Sequence, residues 1–276
     1  MRLSLRARSG AYAALAVVAV FAVFPLYWTI TSSLRARTEL FGTPPALHPF
    51  FLDFFYYDRV FENTPFVQMF FNSLYISLAT TALTVALSAM AGHSLARMRF
   101  RGKLLITRGV LIAYIFPQIL LVVPLFVAVV RLGLANTYTG LVLTYMTFSF
   151  PFGLWMLTAY FQTIPVDLEE AALLDGATRF QVFTRIVLPL SKPGLAAVGI
   201  FTFIHAWNEF LYALVLLSSE RKATLSVGIY RLLGGEAVDW GAVLAASTMM
   251  VIPVLAMFMF YERHLVGGLT AGATRG

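Results

Sequence analysis

Uncharged apolar runs alternate with short charged stretches along the 276 residues, and six of the runs are long. A helix needs about 20 apolar residues to cross a bilayer. The first run, from Ser9 to Leu34, is 26 residues without a formal charge, and a helix is expected near Ala11–Ser33. The others are expected near Met69–Gly92, Gly109–Val130, Thr139–Phe161, Pro193–Leu217 and Gly241–Tyr261. Lipid offers no hydrogen bonds, so each backbone N–H and C=O must be satisfied within the chain, and runs of this length read as helices. The pattern therefore predicts an all-α membrane protein of six transmembrane helices in a single domain, 1–276. Ser88 and Gly92 form a small-xxx-small pair that allows close helix contact. Arg2, Arg6 and Arg8 precede the first run, as in a secretory signal. The run is longer than a signal core and has no obvious small-residue cleavage site, so a retained anchor is expected.

The connections differ in character. Residues 35–67 hold Pro44, Pro45, Pro49 and Pro65, which disfavour regular helix. In the same loop Tyr56, Tyr57 and several phenylalanines predict contact with the membrane interface. Residues 97–108 are strongly basic, Leu132–Tyr138 is a short turn, and residues 218–240 carry Glu220, Arg221, Lys222, Arg231, Glu236 and Asp239 among Gly234 and Gly235. Pro25, Pro117, Pro124, Pro151 and Pro253 fall in or near the spans. They are either kinks of a shape-changing protein or simply tolerated, as proline often is in membrane helices. No soluble-type or inverted repeat is visible.

Composition agrees with lipid as solvent: 59% of residues are hydrophobic and 12% charged. Cysteine is absent, which excludes disulfides, thiol nucleophiles and Cys-based zinc sites. The net charge of +7 does not require nucleic acid. With six spans and the N-terminus inside, thirteen of the twenty lysines and arginines fall on the inner side and seven on the outer. The positive-inside rule then places both termini in the cytoplasm. The chain has no G-x-x-x-x-G-K-[ST] loop, no H-E-x-x-H and no G-x-S-x-G, and His48, His93, His205 and His264 lie far apart. No ATP, cofactor or metal site is expected in it, so energy for any work comes from another subunit or from an ion gradient.

Two polar features stand out. The first is the connection at about 163–191. Pro165 suits a first helical turn, with Asp167, Glu169 and Glu170 near the positive end of the helix dipole. Ala171, Ala172, Leu173 and Leu174 propagate the helix, and Gly176 after Asp175 stops it. Thr178 and Gln181 predict a capping box that opens a second helix, bounded by Pro189 and Pro193. Small Ala171, Ala172 and Ala177 at the bend let another backbone approach. The second feature is Glu209, the one acid deep in a span, with His205 and Asn208 at helical spacing on one face. It reads either as a translocation-path cluster, with Trp207 and Tyr212 as stacking surfaces for a sugar, or as a polar patch that joins helices.

The run Glu170-Ala171-Ala172, then Gly176, Ile186, Leu188 and Pro189, resembles the signature loop of ABC-importer permeases with its spacing intact. The likeness extends over nearly the whole chain to the carbohydrate-importer, MalG-type branch. It is carried by Asn72-Ser73-Leu74, Leu95-Ala96-Arg97-Met98-Arg99-Phe100-Arg101-Gly102, Pro151-Phe152 with Trp155, and Tyr160-Phe161 with Ile164-Pro165. Trp207-Asn208-Glu209-Phe210 and Gly267-Gly268-Leu269-Thr270-Ala271-Gly272-Ala273 complete it. His93 departs from the pattern, where an aromatic such as tyrosine is expected, and the departure puts nothing important in the resemblance in doubt.

The resemblance implies the type I ABC importer permease fold, with a cytoplasmic coupling helix seated on an ATPase subunit. Residues Glu169, Glu170, Ala171, Ala172, Asp175, Gly176, Ile186, Leu188 and Pro189 would form the coupling site. It further implies a second, related permease as heterodimer partner, two ATPase subunits that bind ATP and Mg, and an extracytoplasmic solute-binding protein touching the 218–240 loop. The setting would be the plasma membrane of a prokaryote and the substrate a sugar. Within this reading the alternative substrate is another solute class, such as a polyol, phosphodiester or amino acid; an ion-coupled carrier working through Glu209, and a membrane enzyme or scaffold, are the competing expectations.

Overall fold

The computed structural model describes residues 5–44, 47–234 and 238–273. Arg2, Pro45, Gly235 and Glu236, together with Arg275, one of the thirteen inner-side cations counted from sequence, lie outside the described residues. Every long element is helical. In chain order these are α1 (Leu5–Ser33), α2 (Phe55–Asn63), α3 (Phe66–Arg97), α4 (Lys103–Ile115), α5 (Val122–Arg131) and α6 (Tyr138–Gln162). They are followed by α7 (Val166–Leu174), α8 (Arg179–Val182), α9 (Lys192–Asn208), α10 (Leu211–Leu216), α11 (Leu225–Leu232) and α12 (Trp240–Ala273). Four stretches are long and apolar enough to span a membrane: 10–33, Phe66–Arg97, Tyr138–Gln162 and Trp240–Phe260. Two bent pairs, Lys103–Ile115 with Gln118–Arg131 and Arg179–Leu190 with Lys192–Asn208, bring the number to six if each is one span.

Two of the expected spans are not continuous. The run expected at Gly109–Val130 breaks before Pro117 and turns by 97°. The residue before a proline is pushed out of the helical region, and Phe116 is extended at φ −66°, ψ 132°. The run expected at Pro193–Leu217 stops at Asn208 and resumes at Leu211, with Glu209 extended at φ −65°, ψ 132°. No proline acts there. Asn208 Nδ2 donates to the carbonyl of Ile204 at 3.0 Å, ending one helix, and the Glu209 carboxylate caps the next. Pro25, Pro151 and Pro253 sit inside unbroken helices. The helix expected to end at Tyr261 continues to Ala273.

The chain divides into two compact units. The first comprises residues 1–67 and 228–252. Here the segment around α2 is tied to both long helices. Ser33 Oγ and the Tyr57 hydroxyl lie 2.7 Å apart, Thr248 Oγ1 donates to Ser33 Oγ at 3.4 Å, and Arg59 pairs with Asp239 at 3.0 Å. Tyr56 lies against Gly241, where any Cβ would collide with its ring. Tyr56 was expected at the membrane interface; it is buried instead, and burial, followed by the nearby Asp239 carboxylate, raises its phenol pKa.

The second unit, residues 68–227 with 253–276, packs α3, α6 and α9 side by side. Small residues set the approach. A Cβ on Gly92 would stand 3.2 Å from the Thr158 nitrogen, and one on Gly153 would stand 2.6 Å from Ser88 Oγ. Ser88 and Gly92 thus supply the close α3–α6 contact that their spacing predicts. Leu157, Phe161, Val187 and Val198 are fully buried between these helices. In lipid such contacts gain mainly dispersion energy, because lipid tails are as apolar as the core.

Candidate functional site

The 163–191 segment is built by its own end signals. Pro165 stands immediately before the first helical residue of α7, one place earlier than expected, and Asp167 and Glu169 occupy the first turn. At the other end Gly176 takes φ +87°, a conformation that costs glycine nothing. Its N–H donates to the Leu173 carbonyl at 3.1 Å and the Ala177 N–H to that of Ala172 at 3.0 Å. These two bonds are a Schellman motif, which satisfies the last carbonyls of α7. Both halves of the capping box form: the Thr178 N–H donates to Gln181 Oε1 at 2.8 Å and the Gln181 N–H to Thr178 Oγ1 at 3.3 Å. The second helix then runs through a π-turn at Phe183–Val187 to Leu190 and bends by 75° into α9.

The outward and inward faces separate sharply. Ile164, Val182 and Val187 are buried with Leu157 and Phe161, and Ala172, Ala177 and Leu188 lean on the same cluster. Ile186 is half-buried and Pro189 exposed. The small residues expected to face a visitor are therefore divided: Ala172 and Ala177 serve this chain's own core, and Ala171 remains outside. With Ala171 stand Glu170, Asp175 and Gly176, all exposed, and two large apolar side chains, Leu174 at 90% exposure and Phe180 at 73%. Beside them an open recess of about 1140 Å³ is lined by Arg97, Arg99, Lys103, Glu170, Arg179 and Phe180, among others.

One acid of this segment turns inward. Glu169 is buried and receives Arg97 Nε at 2.6 Å on one oxygen and His93 Nε2 at 3.1 Å on the other. Arg97 also donates to the Ile164 carbonyl at 2.7 Å, and the His93 ring packs against Phe161 and Phe183. The end of α3 thereby grips the start of α7. His93, where the family pattern leads one to expect an aromatic, keeps ring contacts and adds a polar one to Glu169. Neither basic partner was singled out from sequence for this role. The available signal was a dense basic stretch and a lone acidic stretch assigned to one side of the membrane.

The second cluster sits where two spans break. Glu209 accepts from the Tyr145 hydroxyl at 2.7 Å and from the Tyr212 and Ala213 N–H groups at 2.9 and 3.1 Å. Tyr212 reaches across to the other break, donating to the Gln118 carbonyl at 2.7 Å. Gln118 Nε2 and His205 Nε2 lie 3.4 Å apart. His205, Asn208 and Glu209 do not share one helix face, because Glu209 has left the helix. Trp207 and Tyr212 are buried, Trp207 between Phe70 and Phe203, so neither is an open stacking surface. Sequence reading missed a different row, Tyr114, Phe152, Phe201 and His205, with consecutive ring centroids 5.9, 3.9 and 6.2 Å apart.

Residues 84–266, which contain both clusters, match the family described as binding-protein-dependent transport system inner membrane component. The chain belongs to that family. It is thus a multi-pass transport permease, similar over nearly its whole length to ABC transporter permeases. It is 36% identical to the inner membrane ABC transporter permease protein YcjP of Escherichia coli (strain K12), covering 98% of this chain and 97% of that one. It is 38% identical to the trehalose/maltose transport system permease protein MalG of Thermococcus litoralis, over 94% of each. In fold this permease resembles the crystal structure of a bacterial ABC transporter involved in the import of the acidic polysaccharide alginate. The TM-score is 0.79 at 22% identity, covering 95% of this chain and 99% of that one. The all-helical six-span expectation agrees with that fold.

Proposed function

We propose that the whole chain acts as one permease domain and forms half of the translocation pore of an ATP-driven sugar or oligosaccharide importer, with α7 and the turn at Gly176 docking on an ATPase subunit. The observation that carries this reading is the exposure of Leu174 and Phe180 on a segment that is otherwise capped, ion-paired and packed. Large apolar side chains held out from a polar loop mark a protein contact surface. Glu170 and Asp175, exposed beside them, would supply the polar rim and meet basic groups of the cleft.

The remaining assembly follows from that docking. A second related permease completes the pore, a second ATPase subunit docks on it, and an extracytoplasmic binding protein delivers substrate to the 218–240 loop. ATP and Mg bind the ATPase pair, and closure of that pair moves both docking segments; packed helices convert such a shift into a change of pore shape. This orientation puts both termini in the cytoplasm of a prokaryotic cell. The sugar assignment is supported by the trehalose/maltose relative and by the row Tyr114, Phe152, Phe201, which offers ring faces beside the polar groups of Gln118, His205 and Asn208.

The absence of cysteine allows a direct test. Leu174→Cys, assembled with the partner permease and an ATPase carrying a single cysteine in its cleft, should form a disulfide whose yield changes with ATP. An assembled complex that gives no cross-link from any position between Glu169 and Ala177 would remove the docking assignment.

A further inference from the structure

Six of the eight residues 50–57 are aromatic: Phe50, Phe51, Phe54, Phe55, Tyr56 and Tyr57. The structure sorts them. Tyr56 is buried and Tyr57 meets Ser33, whereas Phe50, Phe51, Leu52, Phe54 and Phe55 all point outward, Phe50 at 70% and Phe51 at 82% exposure. The backbone beneath them is pinned to the exit of α1. The Asp53 N–H donates to the Leu34 carbonyl at 2.9 Å, Asp53 Oδ1 accepts from the Phe55 N–H at 2.9 Å, and the Tyr27 hydroxyl donates to the Leu47 carbonyl at 2.9 Å. A fixed ledge of phenylalanine side chains thus stands where α1 leaves the membrane.

We infer that residues 50–55 form an interfacial anchor that lies in the headgroup boundary of the bilayer, on the face where α1 exits. Three observations select lipid as the occupant. The ledge continues the exposed apolar surface of α1, where Val20, Phe21, Phe24 and Tyr27 lie within a stretch long and apolar enough to span a membrane. The level is marked by Tyr27 and Trp28 near the end of α1, since tyrosine and tryptophan collect at the membrane–water boundary. Of the charged side chains nearby, Glu39 is turned to the Phe50 N–H at 3.3 Å, and Asp58 and Glu62 are exposed further along, on α2. A soluble partner that binds and leaves would need a more polar surface, because transient interfaces are about as polar as ordinary protein surface. The anchor requires only that the chain spans a membrane, and stands independently of the sugar and of ATPase docking.

Spin labels on single cysteines test it in the full-length protein, reconstituted in phosphatidylcholine/phosphatidylglycerol nanodiscs without any soluble partner. Collision rates with molecular oxygen, which partitions into lipid, are compared with those of a water-soluble nickel chelate. Phe51→Cys, Leu52→Cys and Phe55→Cys should be oxygen-dominated, between Phe21→Cys in mid-span and Glu62→Cys in water. The three positions are surface-exposed, so a label at one that disturbs folding leaves the other two to decide. Nickel-dominated collisions at these positions would overturn the anchor. So would labels that lose nickel access only when a solute-binding protein is added, which would assign the ledge to that protein.

Discussion

Two partly or wholly buried carboxylates, Glu169 and Glu209, are both fully occupied, yet by different kinds of partner. Glu169 is held by the side chains of Arg97 and His93, which come from another helix more than seventy residues earlier. Glu209 is held mostly by neutral N–H groups three and four residues ahead, with one phenol from α6. The first arrangement ties two helices by charge at the edge of the spans. The second stabilises a break within one span by capping the turn that follows it. An acid in a transporter's membrane region invites a reading as ion carrier. Three accepted hydrogen bonds make Glu209 a fixed acceptor, whereas a carrier must exchange its partners.

Removing the Glu169 carboxylate should be the most damaging change. Glu169→Ala leaves Arg97 beside buried apolar groups without its anion, and breaking a buried pair this way costs about 3 kcal/mol. Thermal unfolding of the purified protein should shift downward, and uptake should fall more than membrane insertion does. A wild-type melting curve would mean that the grip on α7 is incidental.

Less should follow at the other acid. Glu209→Gln keeps one oxygen for the Ala213 N–H and the Tyr145 hydroxyl and gives up the bond from the Tyr212 N–H, so a loss of about 1 kcal/mol is expected, the scale of one hydrogen bond. Uptake should survive and remain insensitive to an ionophore. Abolished transport with intact folding would revive the ion-carrier reading and dissolve the contrast between the two acids.

The mildest change is expected for His93→Phe. It retains a ring against Phe161 and Phe183 and gives up one hydrogen bond to Glu169, about 0.5–1.5 kcal/mol. Arg97 would still hold the acid. If His93→Phe proved as harmful as Glu169→Ala, the imidazole rather than the guanidinium would be the principal tie, which a double-mutant cycle with Arg97 would quantify.

What the sequence shows clearly is what local rules decide. The stop at Gly176 and the Thr178–Gln181 box appear as expected, because each depends on residues within five positions of one another. The break at Pro117 was half legible: proline flagged it, but a kink and a 97° turn look alike in a string of apolar letters. The break at Glu209 was hidden, since His205, Asn208 and Glu209 fit the spacing of one helix face and the cause is a side chain competing with the helix backbone. Partners of Glu169 and the inward turn of Tyr56 were equally out of reach. Both depend on which distant helix stands opposite, and spacing along the chain carries no record of that.

The Schellman turn and capping box at 172–181 have one more consequence. They fix the angle between α7 and the helix after it with bonds made entirely inside the segment. The ordering entropy of that corner is therefore settled when the chain folds, and none of it is charged against the encounter with a partner. A subunit arriving there meets a finished shape. Its residence time can be tuned by the few side chains at the tip, Leu174 and Phe180 foremost, while its arrival rate is left to diffusion and orientation.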